Sequence, residues 1–138
     1  MRVRKWAATM GVIVTSAALL TGCGIVDVAP QKCFPSRVHV TPGAAAPGET
    51  ITVSSEAADC DLGYREGHTY AVAVIVPHHR SPESVVPVDV DGRFSSELTI
   101  PADFPSGDAW VVVAGSPYDQ CDDTRGSCAG YGAGLTVR

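Results

Sequence analysis

Six carboxylates, divided between two segments of the chain, are the side chains best suited to bind a metal ion. Hard cations such as Ca²⁺ take about six to eight oxygen ligands, which two acidic loops at one end of a domain could supply. The spacing matches no known cation-binding loop, so a solvated acidic rim is the preferred interpretation and no metal is predicted. A Ca²⁺-stabilised module remains the alternative, with Asp59, Asp61, Asp122 and Asp123 as candidate ligands. The other two carboxylates belong to Glu66 and Asp119.

Two further motifs contain metal-binding residue types but are better explained as turns. Asp89-Val90-Asp91-Gly92 resembles the start of a Ca²⁺ loop, yet Pro87 and Leu98 occupy positions where such a loop needs carboxylates. A hairpin turn is predicted instead, because glycine adopts the positive φ that such turns require. His78-His79-Arg80 is predicted to form a surface turn rather than a transition-metal site.

The sequence gives little support to catalysis. It contains no Gly-x-Ser-x-Gly elbow, no His-Glu-x-x-His and no phosphate-binding glycine-rich loop. Serines, histidines and acids are present, but their arrangement identifies no nucleophile. The chain is therefore predicted to be neither an enzyme nor a cofactor protein, and a small extracytoplasmic hydrolase is the least favoured alternative.

The amino-terminal segment has the composition of a secretory signal. Arg2, Arg4 and Lys5 precede an apolar run of about 15 residues, which is shorter than the roughly 20 residues of a membrane-spanning helix. The motif Leu20-Thr21-Gly22-Cys23 resembles the lipobox of bacterial lipoproteins. That resemblance implies cleavage before Cys23, a diacylglyceryl group on its thiol and usually an acyl chain on the new amino terminus. The protein is thus expected to be lipid-anchored at the extracytoplasmic face of the cell membrane.

The remaining cysteines agree with export from the cell. Cys33, Cys60, Cys121 and Cys128 form an even set, which predicts two disulfides in an exported protein. Zinc is disfavoured because the chain has no Cys-x₂-Cys pair. Turn-forming residues between the last two cysteines favour Cys121–Cys128, and hence Cys33–Cys60, while the two crossed connectivities stay open.

The mature chain is strongly acidic. Removal of residues 1–22 leaves 116 residues with 7 Lys and Arg against 15 Asp and Glu, a net charge of −8. This charge argues against nucleic acid or anionic headgroups as partners, since both attract clustered Lys and Arg. Membrane attachment is expected through the lipid alone, and an envelope protein or a glycan is the possible partner. The mature chain is long enough to form a single domain with a hydrophobic core.

From Arg37 onward the sequence predicts an all-β domain. Short runs rich in Val, Ile and Thr are separated by Pro, Gly and Asp, and no long stretch has apolar residues at helical spacing. Sheets that are apolar on one face need a second sheet to cover them. Seven strands are predicted near residues 37–40, 49–54, 69–76, 85–89, 93–100, 109–114 and 133–138.

Three turn motifs resemble those of bacterial immunoglobulin-like domains. Residues 41–53 resemble their passage from first to second strand, residues 88–94 their hairpin, and residues 105–113 the corner into their penultimate strand. The resemblance implies an immunoglobulin-like β-sandwich of about seven antiparallel strands, stapled by disulfides, in which Trp110 begins the inward face and fills the core. The usual inter-sheet bridge is absent, because no cysteine lies within the predicted second or sixth strand.

Strands that alternate in direction would place the four cysteines and both acidic loops at one end. The connection 116–132 is long for a hairpin, and loops of this length are usually functional. The predicted organisation is a signal peptide (1–22), a lipidated tether (23–36) and the sandwich (37–138). The predicted function is a binding or structural module of the cell envelope. Its candidate binding loop contains Tyr118, Asp119, Asp122, Asp123 and Tyr131.

Overall fold

The computed structural model describes residues 32–120 and 130–138. Within these ranges the chain forms nine β-strands and one turn of 3₁₀ helix, Pro117–Gln120. No helix in the described part of the chain is long and apolar enough to cross a bilayer. The strands are β1 Val38–Thr41, β2 Ala44–Ala45, β3 Thr50–Ser55, β4 Thr69–Val76, β5 His79–Arg80, β6 Ser84–Pro87, β7 Phe94–Thr99, β8 Gly107–Ala114 and β9 Gly132–Val137.

The strands form two sheets, which make the fold an all-β sandwich of the immunoglobulin-like kind. The smaller sheet has the order β1-β3-β7, and the larger has the order β2-β9-β8-β4-β5 with β6 also paired to β4. All neighbours are antiparallel except β2 and β9, which run parallel over two residues. The seven predicted strands correspond to β1, β3, β4, β6, β7, β8 and β9. The two-residue strands β2 and β5 were not predicted, because so short a segment has no measurable periodicity.

The core lies between the inward faces of the two sheets. Apolar and polar residues alternate along β3 and β7, and the inward-facing side chains Ile51, Val53, Phe94 and Leu98 are all buried. In the larger sheet the central strand β4 contributes Tyr70, Val72 and Val74, each no more than 1% exposed.

The prediction that Trp110 fills the core is wrong. In β8 the inward side chains are Ala109, Val111 and Val113, whereas Trp110 faces outward and is 41% exposed. The indole Nε1 lies close to Gly132 of β9: a Cβ added at Gly132 would be 2.5 Å from this atom and 2.1 Å from the Val111 carbonyl oxygen. Because β8 is apolar at nearly every position, its sequence does not show which face is the inner one.

The turn at residues 89–92 has the predicted conformation, but the strands on either side of it do not pair with each other. Gly92 has φ of 86°, its amide donates to the Asp89 carbonyl at 2.9 Å, and the Arg93 amide donates to Asp91 Oδ1 at 3.0 Å. However, β6 pairs with β4 while β7 pairs with β3. The segment therefore carries the chain from one sheet to the other, and the predicted hairpin is wrong.

The disulfide between Cys33 and Cys60 confirms one of the two favoured pairings. Their Cα atoms are 5.8 Å apart, so the chain before β1 is joined to the β3–β4 loop. Pro35, within the predicted tether, is buried, and the Ser36 hydroxyl donates to the Ala57 carbonyl at 2.6 Å. The last residues of the tether are thus part of the compact unit Gln31–Arg138. Cys121 and Cys128 lie outside the described residues.

The adjacent histidines lie on the surface, as predicted. His78 occupies the turn between β4 and β5 with φ of 66°, and both His78 and His79 are exposed. The His79 ring packs edge-on against Phe104, with the ring centroids 5.0 Å apart. Since β4 begins at the disulfide end, this turn lies at the opposite end of the sandwich.

Candidate binding cleft at the disulfide end

A cleft of about 660 Å³ opens at the end of the sandwich that carries the disulfide. One wall is the β3–β4 loop, residues 61–68, and the other is the start of the β8–β9 connection, residues 115–117 with Gln120. Lys32 and Cys33 complete the lining. The predicted meeting of these loops at one end is therefore confirmed for the described residues.

A pair of stacked rings forms the first wall. The Tyr64 ring lies on the His68 imidazole, with centroids 3.8 Å apart and planes 20° from parallel. The Tyr64 hydroxyl shares a hydrogen bond of 2.8 Å with the hydroxyl of Tyr70, which is buried in the core. Burial raises the pKa of both phenols, so they stay neutral at physiological pH.

His68 also ties the first wall to the second. Its Nε2 donates a hydrogen bond of 2.9 Å to the carbonyl of Gly115, which fixes the tautomer if the ring is neutral. At the far side of the loop, Asp61 Oδ1 accepts from the Gly63 amide at 2.8 Å. The two walls are thus held in place by contacts that need no ligand.

The second wall is organised by its own side chains. Asp119 Oδ2 accepts a hydrogen bond of 2.5 Å from the Gly115 amide, and Ser116 Oγ accepts one of 3.3 Å from the Tyr118 amide. Lys32 Nζ donates to the Gln120 carbonyl at 3.2 Å. These bonds connect the 3₁₀ turn both to the end of β8 and to the segment before β1.

Beneath the cleft, aromatic rings contact one another in an unbroken series. The stacked Tyr118–Tyr131 pair has centroids 5.2 Å apart, and Tyr70 joins Tyr131 to Phe94 through edge-to-face contacts of 5.9 and 5.2 Å. Such pairs contribute about 0.5–1.5 kcal/mol each beyond their buried area. We call this set the aromatic cluster; it consists of Phe34, Tyr64, His68, Tyr70, Phe94, Tyr118 and Tyr131.

The structure corrects the prediction that Tyr131 is a binding-loop residue. Tyr131 is only 5% exposed. Its hydroxyl donates to the Ser36 carbonyl at 2.7 Å and lies 3.1 Å from Ser55 Oγ. Tyr131 was assigned to the binding loop because it lies in the long connection 116–132, but it comes immediately before β9 and closes the core. Tyr118 is half-buried beside it and Asp119 is exposed at the second wall. Asp122 and Asp123 lie outside the described residues.

The charged groups around the cleft are of both signs. Lys32 and Arg65 supply positive charge and Asp61 and Glu66 supply negative charge, and all four side chains are exposed. No three His, Cys, Asp or Glu side chains converge on a point that could hold a metal ion within residues 32–120 and 130–138. Two of the four candidate Ca²⁺ ligands belong to the residues that the structure describes. Asp59 is exposed, and Asp61 already accepts a backbone hydrogen bond.

Sequence reasoning missed Tyr64, Arg65 and His68, although it identified the carboxylates on the same loop. Tyr64 and His68 are four residues apart in a segment without helical or strand pattern, so nothing in the spacing indicates that their rings stack. The stack depends on the turn in which the His68 amide donates to the Arg65 carbonyl at 3.1 Å.

Comparison of the chain with protein-family models, with curated proteins and with solved structures finds no match. What the cleft binds is therefore inferred from its own chemistry.

Proposed function

We propose that this chain is a lipid-anchored binding module of the bacterial cell envelope, without catalytic activity, and that its ligand occupies the cleft at the disulfide end. The observation that supports this most directly is the rigid attachment of both cleft walls. The Tyr64–His68 stack is bonded to Tyr70 of the core and to Gly115 of the opposite wall. A site that is already ordered loses little conformational entropy when its ligand binds.

The size and polarity of the cleft indicate the kind of ligand. About 660 Å³ is within the usual range of ligand sites, roughly 300–1,000 Å³. Because Lys32, Arg65, Asp61 and Glu66 surround it, the ligand should offer both hydrogen-bond donors and acceptors rather than a single charge. An envelope glycan or a polar segment of an envelope protein satisfies this requirement.

The cleft can be tested by photocrosslinking in living cells. A photoreactive amino acid at Glu66, on the cleft wall, should give a discrete crosslinked product. The same amino acid at Asp103, exposed in the β7–β8 loop at the other end, should not. Equal products from both positions, or none from Glu66, would contradict a binding cleft.

A pair of charge variants makes this test specific. Arg65→Ala should lower the yield of the Glu66 product several-fold, because it removes a cation from the cleft. Arg138→Ala removes a cation from the end of the chain, beyond β9, and should leave the yield unchanged. A similar loss in both variants would show that the overall charge, not the cleft, controls the interaction.

The lipid anchor is a separate part of the proposal and has its own test. Its support is the resemblance of Leu20-Thr21-Gly22-Cys23 to a lipobox after a basic and apolar leader. Cys23→Ser should release the protein from membranes or leave it unprocessed, because several acyl chains together anchor stably where one binds only marginally. Wild-type protein that is soluble and cleaved elsewhere would refute lipidation and leave the cleft proposal standing.

A further inference from the structure

Strand β7 is the longest edge strand in the described part of the chain. It pairs with β3 on one side only, and its six residues, Phe94–Thr99, include no proline, lysine or arginine. Natural sheets protect their edges with short strands, prolines or lysines, because an open edge can pair with another chain. Strand β7 has none of these protections.

The other edge strands are short and lie beside prolines. Strands β2 and β5 have two residues each. Strands β5 and β6 lie along the same side of β4, but Pro82 separates them and β6 ends at Pro87. Strand β1 has four residues and is followed by Pro42, after which the chain joins the larger sheet as β2. Among the described strands, β7 is thus the edge most open to pairing.

The pairing of β7 with β3 shows which of its backbone groups face outward. Just beyond β7, the Ile100 amide donates to the Glu49 carbonyl at 2.9 Å, and these two residues continue the register of the ladder. In an antiparallel ladder, pairs that are hydrogen-bonded in this way alternate with pairs that are not. Ser95, Glu97 and Thr99 occupy the alternate positions, so their amides and carbonyls face away from β3.

The outward backbone groups of β7 have no backbone partner within residues 32–120 and 130–138. The Ser96 hydroxyl lies 3.4 Å from the Glu97 carbonyl, but the three outward amides of Ser95, Glu97 and Thr99 have no acceptor among these residues. The side chains of the same three residues are exposed. An antiparallel strand laid against this side, which we call the β7 edge, could exchange two hydrogen bonds at each of the three positions.

The side chains along the β7 edge favour a basic partner. Glu97 belongs to neither of the ion pairs found among the described residues, and its neighbour on β3 is the uncharged Thr52. Opposite charges at facing positions of adjacent strands are favourable, so a lysine or arginine should face Glu97. The net charge of −8 on the mature chain also favours the approach of a basic segment.

We infer that the β7 edge binds an extended basic segment of another protein, which adds a strand to the smaller sheet with a lysine or arginine opposite Glu97. In recognition of this kind, main-chain hydrogen bonds supply affinity and side chains supply specificity. A second copy of this chain is disfavoured. The register that pairs Ser95, Glu97 and Thr99 of both copies would place the two Glu97 carboxylates opposite each other.

Binding of a defined peptide tests the inference. The probe is a labelled synthetic peptide in which threonine and valine flank a central lysine, titrated by fluorescence anisotropy with the full-length protein in detergent. A matched peptide with glutamate in place of the lysine should bind about five-fold more weakly or worse, because its charge repels Glu97. Equal affinity for the two peptides, or no binding of the lysine peptide at millimolar concentration, overturns the inference.

Two substitutions of one residue locate the contact. Ser95→Pro removes an outward amide that β3 does not use, so the sheet should keep its ladder while affinity for the lysine peptide falls about five-fold or more. Ser95→Ala keeps the amide and should bind as the wild type does. Thermal unfolding shows whether Ser95→Pro folds, and a folded Ser95→Pro protein with full affinity overturns the inference.

A third variant tests the charge whether or not Ser95→Pro folds. Glu97→Gln keeps the backbone groups and removes the carboxylate, so it should lose most of the preference for the lysine peptide over the glutamate peptide. An unchanged preference overturns the inference.

The same titration separates the β7 edge from the cleft. Arg65→Ala, on the cleft wall, should leave peptide affinity unchanged. A loss in Arg65→Ala without a loss in Ser95→Pro would mean that the peptide binds in the cleft, and would overturn the inference. Because β7 contributes no residue to the cleft lining, this result does not depend on the proposed ligand of the cleft.

Discussion

The aromatic cluster and Trp110, on the outward face of the larger sheet, differ in how their rings are used. In the cluster, Tyr70 is 1% exposed and Tyr131 is 5% exposed, and their hydroxyls bond to other groups of the same chain. On the outward face of the larger sheet, Trp110 is 41% exposed, with its Nε1 close to Gly132 of β9. Aromatic residues of the first kind stabilise the fold, whereas one of the second kind contributes little to stability and is available to a partner.

The largest effect should come from the centre of the aromatic cluster. Tyr70→Ala removes a buried ring that contacts Tyr64, Phe94 and Tyr131. The loss should be about 3–5 kcal/mol, as for other large-to-small aromatic substitutions in a core. Chemical denaturation followed by circular dichroism measures it, and a loss below about 1 kcal/mol would remove the distinction between the two regions.

The disulfide should have the next largest effect. Replacing both partners, Cys33→Ser with Cys60→Ser, frees a segment whose ends are 27 positions apart. We expect a loss of about 2–4 kcal/mol, because the unfolded chain regains conformational freedom. Unfolding of the double variant beside the wild type tests this. A double variant as stable as the wild type would show that the disulfide does not stabilise this end of the sandwich.

The hydroxyl of Tyr131 should contribute less. Tyr131→Phe keeps the ring in the cluster but removes the hydrogen bond to the Ser36 carbonyl. Since Ser55 Oγ also donates to that carbonyl, at 2.8 Å, the acceptor keeps a partner, and the loss should be about 1 kcal/mol. A loss as large as that of Tyr70→Ala would mean that the hydroxyl, rather than the ring, holds this region together.

The same variant should change the response to alkaline pH. Burial raises the pKa of Tyr131 to about 12, above its ordinary value near 10. The folded state therefore holds this proton more tightly than the unfolded chain, so its contribution is complete below about pH 10 and is lost as pH rises towards 12. Tyr131→Phe should lose less stability over that interval than the wild type. Some dependence should remain, since burial also raises the pKa of Tyr70.

The smallest effect on stability should come from Trp110→Ala. A ring that is 41% exposed contributes only part of the burial energy of a core aromatic, so the loss should be about 1 kcal/mol or less. Trp110 is the only tryptophan after residue 22, and its emission in the processed monomer should be that of a partly hydrated indole. Emission typical of a fully buried indole in the monomer would contradict this placement.

Strand positions were largely predictable, and strand faces only where polar residues alternate with apolar ones. In β3 Thr50, Thr52 and Ser54 alternate with buried residues, and in β7 Ser95, Glu97 and Thr99 do the same, so the alternation shows the inward face of both strands even though Ser55 and Ser96 lie on it. In β8 the segment from Ala109 to Ala114 is apolar throughout, and the face of Trp110 could not be obtained from it. A shift of one residue exchanges all inward and outward side chains.

The candidate site was predictable in position but not in its side chains. The disulfide end was identified from the positions of the cysteines and from the alternating direction of successive strands, both of which follow from the sequence alone. The wall residues Tyr64 and His68, by contrast, meet through a turn and a hydrogen bond to Gly115. Tyr131 was misplaced for a related reason, since its partner Ser36 is 95 positions away.

The disulfide also determines which partners the cleft can reach. Cys33 lies in the cleft lining and is ten positions after Cys23, so a fully extended chain can separate them by at most about 36 Å. If Cys23 carries the lipid, Cys33 and the cleft wall to which it belongs stay within that distance of the anchor. A component of the same membrane or of its surface is then within reach of the cleft.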